Sequence, residues 1–129
     1  MRKMASTRHY PSPIKKEWFK INKSEHDIQN EIRLALSDIA ITFRVNVGKF
    51  QTKDGRIVST GLPEGFSDLF GHRISDGRIF YIEVKKPGGR IRDKQKLFIQ
   101  AMKESGALAG VAYSVEDAFK IIGGEPWSI

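Results

Sequence analysis

The spacing of apolar residues predicts three helices and four strands, in the order α, β, β, β, α, β, α. From Ser24 to about Ile39, apolar residues recur every three or four positions, which is typical of an amphipathic helix. Ser24 followed by Asp27 is the capping pattern of a helix start. Between residues 41 and 47 apolar and polar residues alternate, which predicts a half-buried strand that ends at Gly48.

Glycine, proline and capping residues divide the rest of the chain. Asp76-Gly77 between two apolar runs predicts an antiparallel hairpin with a two-residue turn. The mixed order indicates an α/β or α+β domain, in which helices flank a mixed central sheet. The elements predicted after the first strand are a loop over 51–65 that is long enough to suggest a function, strands over 66–74 and 78–85, a helix over 93–104, a strand over 111–113 and a helix over 114–122.

The composition describes one globular domain with an N-terminal arm. A chain of 129 residues with 40% hydrophobic residues can fill a single core. Residues 1–23 are basic and lack an apolar period, so we predict an arm there and a folded domain over 24–129. Because the sequence contains no membrane-length apolar stretch and no secretory segment, we expect a soluble, cytoplasmic protein. The chain contains no cysteine, so any metal ligands are His or oxygen atoms.

Positive charge is concentrated in two segments of the chain. Of the net charge of +7, residues 1–24 carry +6 and residues 85–96 carry +5, and the remaining residues sum to −4. This segregation favours an anionic polymer as partner, with nucleic acid ahead of an anionic membrane surface. The candidate phosphate-binding residues of the second segment are Lys86, Arg90, Arg92, Lys94 and Lys96.

The predicted hairpin brings two acids and one base to the same sheet face. A two-residue turn at Asp76-Gly77 pairs Asp68 with Lys85. Glu83 lies two residues from Lys85 on the same strand, so its side chain shares that face, diagonal to Asp68. The three side chains therefore converge at the open end of the hairpin.

Paired carboxylates of this kind suit a hard divalent cation. One or two carboxylates, water and a substrate phosphate are the usual ligands of Mg²⁺, and the Val84 carbonyl is an additional candidate. A Mg²⁺ or Mn²⁺ ion there would promote phosphodiester hydrolysis, with Lys85 positioning water or offsetting transition-state charge. The alternative is a structural salt bridge between Lys85 and Asp68 or Glu83 on a solvated face.

Two further polar residues are candidates for the same site. Glu25 lies about 40° from the centre of the apolar stripe of the first helix, so its carboxylate points inward and needs a partner or a metal. Stabilisation of the helix dipole is the other explanation for an acid in a first turn. Gln95 lies in the first turn of the second helix, where it binds phosphate or water, or simply faces solvent.

Taken together, these residues resemble the PD-(D/E)XK nuclease superfamily and, within it, the VRR-NUC branch. The resemblance covers residues 24 to about 122 and includes an αβββαβ core. One departure is Ser67, which stands where the superfamily name has proline. The matching motifs are Ser24-Glu25-x-x-Ile28-Gln29, Gly65-Phe66-Ser67-Asp68-Leu69, Ile82-Glu83-Val84-Lys85 and Gln95.

The resemblance implies a metal-dependent DNA endonuclease. Asp68 and Glu83 would be metal ligands and Lys85 the catalytic lysine, with Glu25 assisting the metal and Gln95 the site. Similarity to stand-alone, phage-type members implies a homodimer that cuts branched DNA as Holliday-junction resolvases do, inside a bacterial host cell. Two alternatives remain open, namely a non-catalytic DNA-binding module and a flap or RNA nuclease of the same fold.

Overall fold

A computed structural model describes residues 23–46 and 49–123, and within those ranges the chain forms three helices and six strands. The predicted arm, the strand end at Gly48 and the residues after 123 fall outside the described ranges. In chain order the elements are α1 (Glu25–Leu36), β1 (Ala40–Arg44), β2 (Lys49–Gln51), β3 (Ile57–Ser59), β4 (Leu69–Arg73), β5 (Ile79–Val84), α2 (Asp93–Glu104), β6 (Leu108–Ala112) and α3 (Val115–Ile122).

The start of α1 confirms the predicted cap. The Ser24 hydroxyl accepts a hydrogen bond from the Asp27 amide at 3.0 Å, and the Asp27 carboxylate accepts one from the Ser24 amide at 3.1 Å. The helix ends at Leu36 rather than at Ile39. The Ser37 hydroxyl donates a hydrogen bond to the Leu34 carbonyl at 2.7 Å, and this side-chain bond competes with continuation of the helix.

The main sheet is mixed, as predicted, and has the strand order β1-β4-β5-β6. Strand β4 is antiparallel to both of its neighbours, β1 and β5, whereas β6 runs parallel to β5. One face of the sheet packs against α1 and α3 through a continuous hydrophobic core. Its largest fully buried side chains include Ile32, Leu36, Leu69, Phe80 and Ile82. Strand β6 begins at Leu108, three residues before the prediction, because a partly buried parallel strand lacks an alternating pattern.

The turn between β4 and β5 is longer than predicted. Four residues, 74–77, connect Arg73 to Arg78, whose carbonyl accepts the Arg73 amide at 3.0 Å. The Asp76 carboxylate accepts the Arg78 amide at 3.1 Å and pairs with the Arg73 guanidinium. Gly77, at φ +73°, donates its amide to the Arg73 carbonyl at 2.8 Å. These polar contacts select the four-residue connection over a two-residue turn.

The longer turn shifts the hairpin register by two residues, so the predicted pairing of Asp68 with Lys85 is wrong. Leu69 pairs with Ile82, and continuing this register places Asp68 opposite Glu83. Because the shift is even, every side chain keeps its face of the sheet. Asp68, Glu83 and Lys85 therefore still share one face, with Lys85 now in the diagonal position.

The stretch predicted to be a loop contains a second, two-stranded sheet. Strands β2 and β3 pair with each other in antiparallel fashion and form a β-ribbon, residues 49–59. This ribbon is inserted between β1 and β4 of the αβββαβ core. Phe50 lies on it and is 55% exposed, although an aromatic residue at a strand position is usually part of the core.

Aromatic side chains cover the second face of the main sheet. Phe66 is in contact with the rings of Phe70, Tyr81 and Phe98, with centroids 4.7–5.9 Å apart. Phe43 extends this cluster at the edge strand, where it is 49% exposed. Helix α2 covers the cluster through Phe98, so α2 and the sheet enclose the face that also carries Asp68 and Glu83. Among the described helices, none has the length and apolar content needed to cross a membrane.

Candidate functional site

Asp68 and Glu83 come together at the end of the β4–β5 hairpin. Asp68 directly precedes β4, and its Oδ2 accepts a hydrogen bond from the Val84 amide at 2.9 Å. That bond takes the place of the next hydrogen bond of the β-ladder, because β4 starts one residue later at Leu69. The carboxylate of Asp68 is thereby fixed beside the strand that carries Glu83.

The Glu83 carboxylate is buried, and only one of its oxygens has a hydrogen-bond partner. The residue is 2% exposed. Its Oε2 accepts a hydrogen bond from Gln95 Nε2 at 2.7 Å and lies 3.8 Å from Lys85 Nζ. Its Oε1 is fully buried and finds no hydrogen-bond partner within residues 23–46 and 49–123. A buried oxygen without a donor is costly, and either a proton shared with the neighbouring Asp68 carboxyl or a cation would satisfy it.

Burial and neighbouring negative charge raise the pKa of both acids. The pKa of Glu83 rises to about 8, first because the carboxyl is removed from water and then because Asp68 adds a second negative charge. Burial also raises the pKa of Asp68, and the charge of Glu25 adds to this effect. Without a cation the two carboxyl groups therefore favour states in which they retain a proton.

The donor atoms present fit a divalent cation. Two carboxylates lie side by side, and the unpartnered Glu83 Oε1 is available as a ligand. In a β-strand the carbonyl of a residue points to the same side as its amide, so the Val84 carbonyl faces the side from which Asp68 accepts the Val84 amide. Bringing a cation between the acids would remove their repulsion and satisfy the free oxygen.

Glu25 lies close to this pair but does not form a compact cluster with it. In the described ranges no three His, Asp or Glu side chains are grouped closely enough to form a metal site. Glu25 is half-buried in the first turn of α1, and its charge acts on Asp68. Its Oε2 lies 3.6 Å from the point where a Cβ on Gly89 would be, so it faces the loop after β5.

Gln95 connects the buried carboxylate to the start of α2. Its Nε2 donates to Glu83, and its Oε1 accepts the amide of Arg92, the N-cap residue, at 2.8 Å. The side chain is 5% exposed, so the solvent-exposed interpretation does not apply. Both polar atoms of the Gln95 amide are therefore hydrogen-bonded. The nitrogen orients Glu83, and the oxygen caps the start of α2.

The five basic candidate residues lie on the segment that follows Glu83 and Lys85 in the chain. All of them are exposed, on the loop after β5 and on the first turns of α2. Lys94 forms an exposed ion pair with Glu64 at 3.0 Å, and this ion pair joins the loop before Asp68 to α2. Lys85 differs from them, since it is 8% exposed and lies inside the site.

Two residues that the sequence interpretation did not assign shape the approach to Asp68. Gly65 has φ +90°, and a Cβ there would lie 2.4 Å from the Lys94 carbonyl oxygen. This glycine therefore permits close contact with α2. Ser67 is fully buried, and its hydroxyl donates to the Leu69 carbonyl at 3.0 Å. It fixes the backbone around Asp68 where the superfamily motif has proline.

Comparison with known proteins gives a family match and a structural match. A family model of the VRR-NUC domain matches residues 24–116. A solved structure described as "VRR_NUC domain" aligns with a TM-score of 0.54 and 20% identity, and the alignment covers 77% of this chain and 94% of that one. At 20% identity, this structural similarity is evidence for the fold alone. A search of curated proteins returned no match.

Proposed function

The chain belongs to the VRR-NUC domain family of the PD-(D/E)XK-like nuclease superfamily, and on this basis we propose that it is a metal-dependent endonuclease of branched DNA. The observation that carries this proposal is the Asp68–Glu83 pair, in which a fully buried carboxylate oxygen has no partner. Lys85 Nζ and Glu83 Oε2 form an ion pair at 3.8 Å, which is too long for a hydrogen bond, and this pair leaves Oε1 unsatisfied.

Asp68 and Glu83 would hold a Mg²⁺ or Mn²⁺ ion, with the Val84 carbonyl as a third ligand and Glu25 at the edge. A cation there supplies positive charge beside the scissile phosphate, which favours hydrolysis at neutral pH. Gln95 keeps Glu83 Oε2 in place, so that Oε1 is directed to the cation.

Lys85 would act on the phosphate or on the attacking water. Its ammonium group is nearly buried and makes no hydrogen bond to Glu83, so its N–H donors are available to a substrate oxygen. A positive charge in a poorly solvated site stabilises developing negative charge more strongly than it would in water. The five exposed basic residues, Lys86, Arg90, Arg92, Lys94 and Lys96, would bind the flanking phosphates.

A homodimer fits cleavage of a junction. Each described domain carries one Asp68–Glu83 pair, and paired incisions on two strands require two such sites related by a two-fold axis. We therefore propose that two copies act together on a four-way junction.

The test is a panel of labelled substrates, comprising a four-way junction, a flap, a linear duplex and single strands of DNA and of RNA, each with Mg²⁺, Mn²⁺ or EDTA. We expect metal-dependent paired nicks at the junction. Cutting of flaps or of RNA instead would keep the chemistry and refute the junction preference. Binding without cleavage under every metal would refute the enzyme and leave a DNA-binding module.

A further inference from the structure

The β-ribbon, residues 49–59, stands apart from the body of the domain. Its strands pair with each other and have no extensive packing against another described helix or strand. Five of its six strand residues are exposed, among them Phe50 and Ile57 at 55% and 66%. A two-stranded hairpin is marginally stable by itself, so a ribbon of this kind gains most when it contacts a partner.

The charge of the ribbon points to an anionic partner. It carries Lys49, Lys53 and Arg56 against Asp54 alone. Arg56 pairs with Asp54 at 3.0 Å, and both side chains remain exposed. Within the described residues, neither lysine forms an ion pair. The net charge of +2 is therefore presented to solvent on a narrow projection.

The tip of the ribbon is held in one shape by its own hydrogen bonds. The Thr52 amide donates to the Arg56 carbonyl at 2.8 Å, and the Gly55 amide donates to the Thr52 carbonyl at 3.0 Å. The Thr52 hydroxyl also accepts the Arg56 amide at 3.1 Å. A preorganised turn loses little conformational entropy on binding, which favours recognition by a rigid element.

The ribbon follows a segment that is bonded to Asp68. The Val45 amide, four residues before Lys49, donates to the Asp68 carbonyl at 2.8 Å. On the other side of the ribbon in the sequence, Glu64 forms an ion pair with Lys94 at 3.0 Å, and Lys94, then Arg92 and Lys49, lower its pKa. From Lys49 to Asp54 the ribbon spans up to about 16 Å, at ~3.3 Å per residue.

We propose that the β-ribbon is a DNA-binding wing. Its basic side chains contact the phosphate backbone of a duplex arm while the Asp68–Glu83 site binds the scissile phosphate. The proposal rests on the nuclease assignment and adds to it an element outside the catalytic pair. A two-stranded ribbon fits the major groove of B-DNA, which is about 12 Å wide. Phe50 and Ile57 then contact sugars or base edges.

A second copy of the chain is the less favoured occupant of this surface. Contact between two ribbons across a two-fold axis would place like charges opposite each other, which opposes association. DNA instead presents negatively charged phosphates to these basic side chains, and its binding releases counterions.

The test is binding of a fluorescent duplex by the full chain in EDTA, measured by anisotropy between 50 and 250 mM salt. The ribbon variant combines Lys49→Gln, Lys53→Gln and Arg56→Gln. The control variant removes the same charge from the last turns of the three helices, at the opposite end of the domain, by Arg33→Gln, Lys103→Gln and Lys120→Gln.

We expect the ribbon variant to bind about 10-fold more weakly or worse at 100 mM salt, and its salt slope to fall by about 2 to 3, in line with three lost phosphate contacts. The control should change affinity much less. Equal losses in both variants, or an unchanged salt slope, would overturn the proposal. So would a change in sedimentation mass that is confined to the ribbon variant, because it would assign the ribbon to contacts between copies.

Binding in EDTA separates this inference from the nuclease assignment. If the wild-type protein cuts DNA and the ribbon variant binds as the control does, the wing is refuted and the nuclease stands. If the wild-type protein never cuts but loses affinity when the ribbon is changed, the nuclease is refuted and the wing stands.

Discussion

Replacing Glu83 by glutamine should stabilise the metal-free protein and at the same time abolish cleavage. Glutamine has the same shape, so its carbonyl can still accept the bond from Gln95 that Glu83 Oε2 accepts at 2.7 Å. Its amide nitrogen would occupy the position of the unpartnered Oε1 and can donate to Asp68. The substitution thus removes a buried charge without leaving a cavity.

The size of the effect follows from the pKa of Glu83. In the folded protein this pKa is about 8, against an ordinary value of 4.5, so the folded state keeps a proton that the unfolded state releases. Between those two values the stability of the wild-type protein should fall as pH rises, by up to about 1.4 kcal/mol per pH unit. At pH 8 the glutamine variant should be more stable by about 4 kcal/mol, and near pH 5 the difference should be small.

The assay is urea unfolding of both proteins in EDTA at pH 5, 6.5 and 8, with Glu104→Gln as an exposed control on α2. The glutamine variant should gain stability relative to the wild-type protein as pH rises, and the control should not. Adding Mg²⁺ should stabilise the wild-type and control proteins but not the glutamine variant, because Mg²⁺ binds the folded state through the ionised pair. A glutamine variant that is less stable at pH 8, or a difference that is independent of pH, would refute the reasoning.

Three further changes test the parts around the pair. Gln95→Leu removes the donor to Glu83 and should raise the Mg²⁺ concentration for half-maximal cleavage by about 10- to 100-fold. Lys85→Met should abolish cleavage, while DNA affinity measured by anisotropy in EDTA stays within a few-fold. Gly65→Ala should lower the free energy of unfolding by about 2 kcal/mol or more, because a Cβ would lie 2.4 Å from a carbonyl oxygen of α2.

Each of these changes has a matched control. Gln100→Leu alters an exposed glutamine on the same helix and should leave the metal requirement unchanged. Lys86→Met neutralises the exposed neighbour of Lys85 and should reduce binding rather than catalysis. Gly61→Ala keeps the cost of a positive φ, +84°, but meets no atom within 4 Å. Gly61→Ala should therefore be the milder glycine substitution, and equal losses at both glycines would argue against the contact with α2.

Local chemistry made much of the fold predictable. The Ser24 and Ser114 caps, the amphipathic stripe of α1 and the order of the main elements all depend on neighbours in sequence. The hairpin register could not be predicted, because the Asp76 side chain bonds to Arg73 and Arg78 and lengthens the turn. The grouping of Asp68 with Glu83 nevertheless survives, since a shift of two residues preserves the face.

The features that the sequence interpretation missed depend on contacts between distant segments. Gly65 is tied to Lys94, 29 residues later, and such a close approach of two backbones leaves no local pattern. Burial of Gln95 depends in the same way on how α2 packs over the sheet. The β-ribbon was interpreted as a loop because three-residue strands with exposed faces give too short an alternation to detect.

The most direct test of the nuclease assignment is cleavage of a labelled four-way junction by the wild-type protein and by Asp68→Ala, with Glu104→Ala as a surface control. The proteins are compared at equal concentration with Mg²⁺ and with EDTA, and DNA binding is followed in parallel. We predict Mg²⁺-dependent nicking by the wild-type and control proteins, and no detectable nicking by Asp68→Ala, which still binds the junction. Undiminished cutting by Asp68→Ala, or no cutting by the wild-type protein on any nucleic acid with any divalent ion, would contradict the assignment.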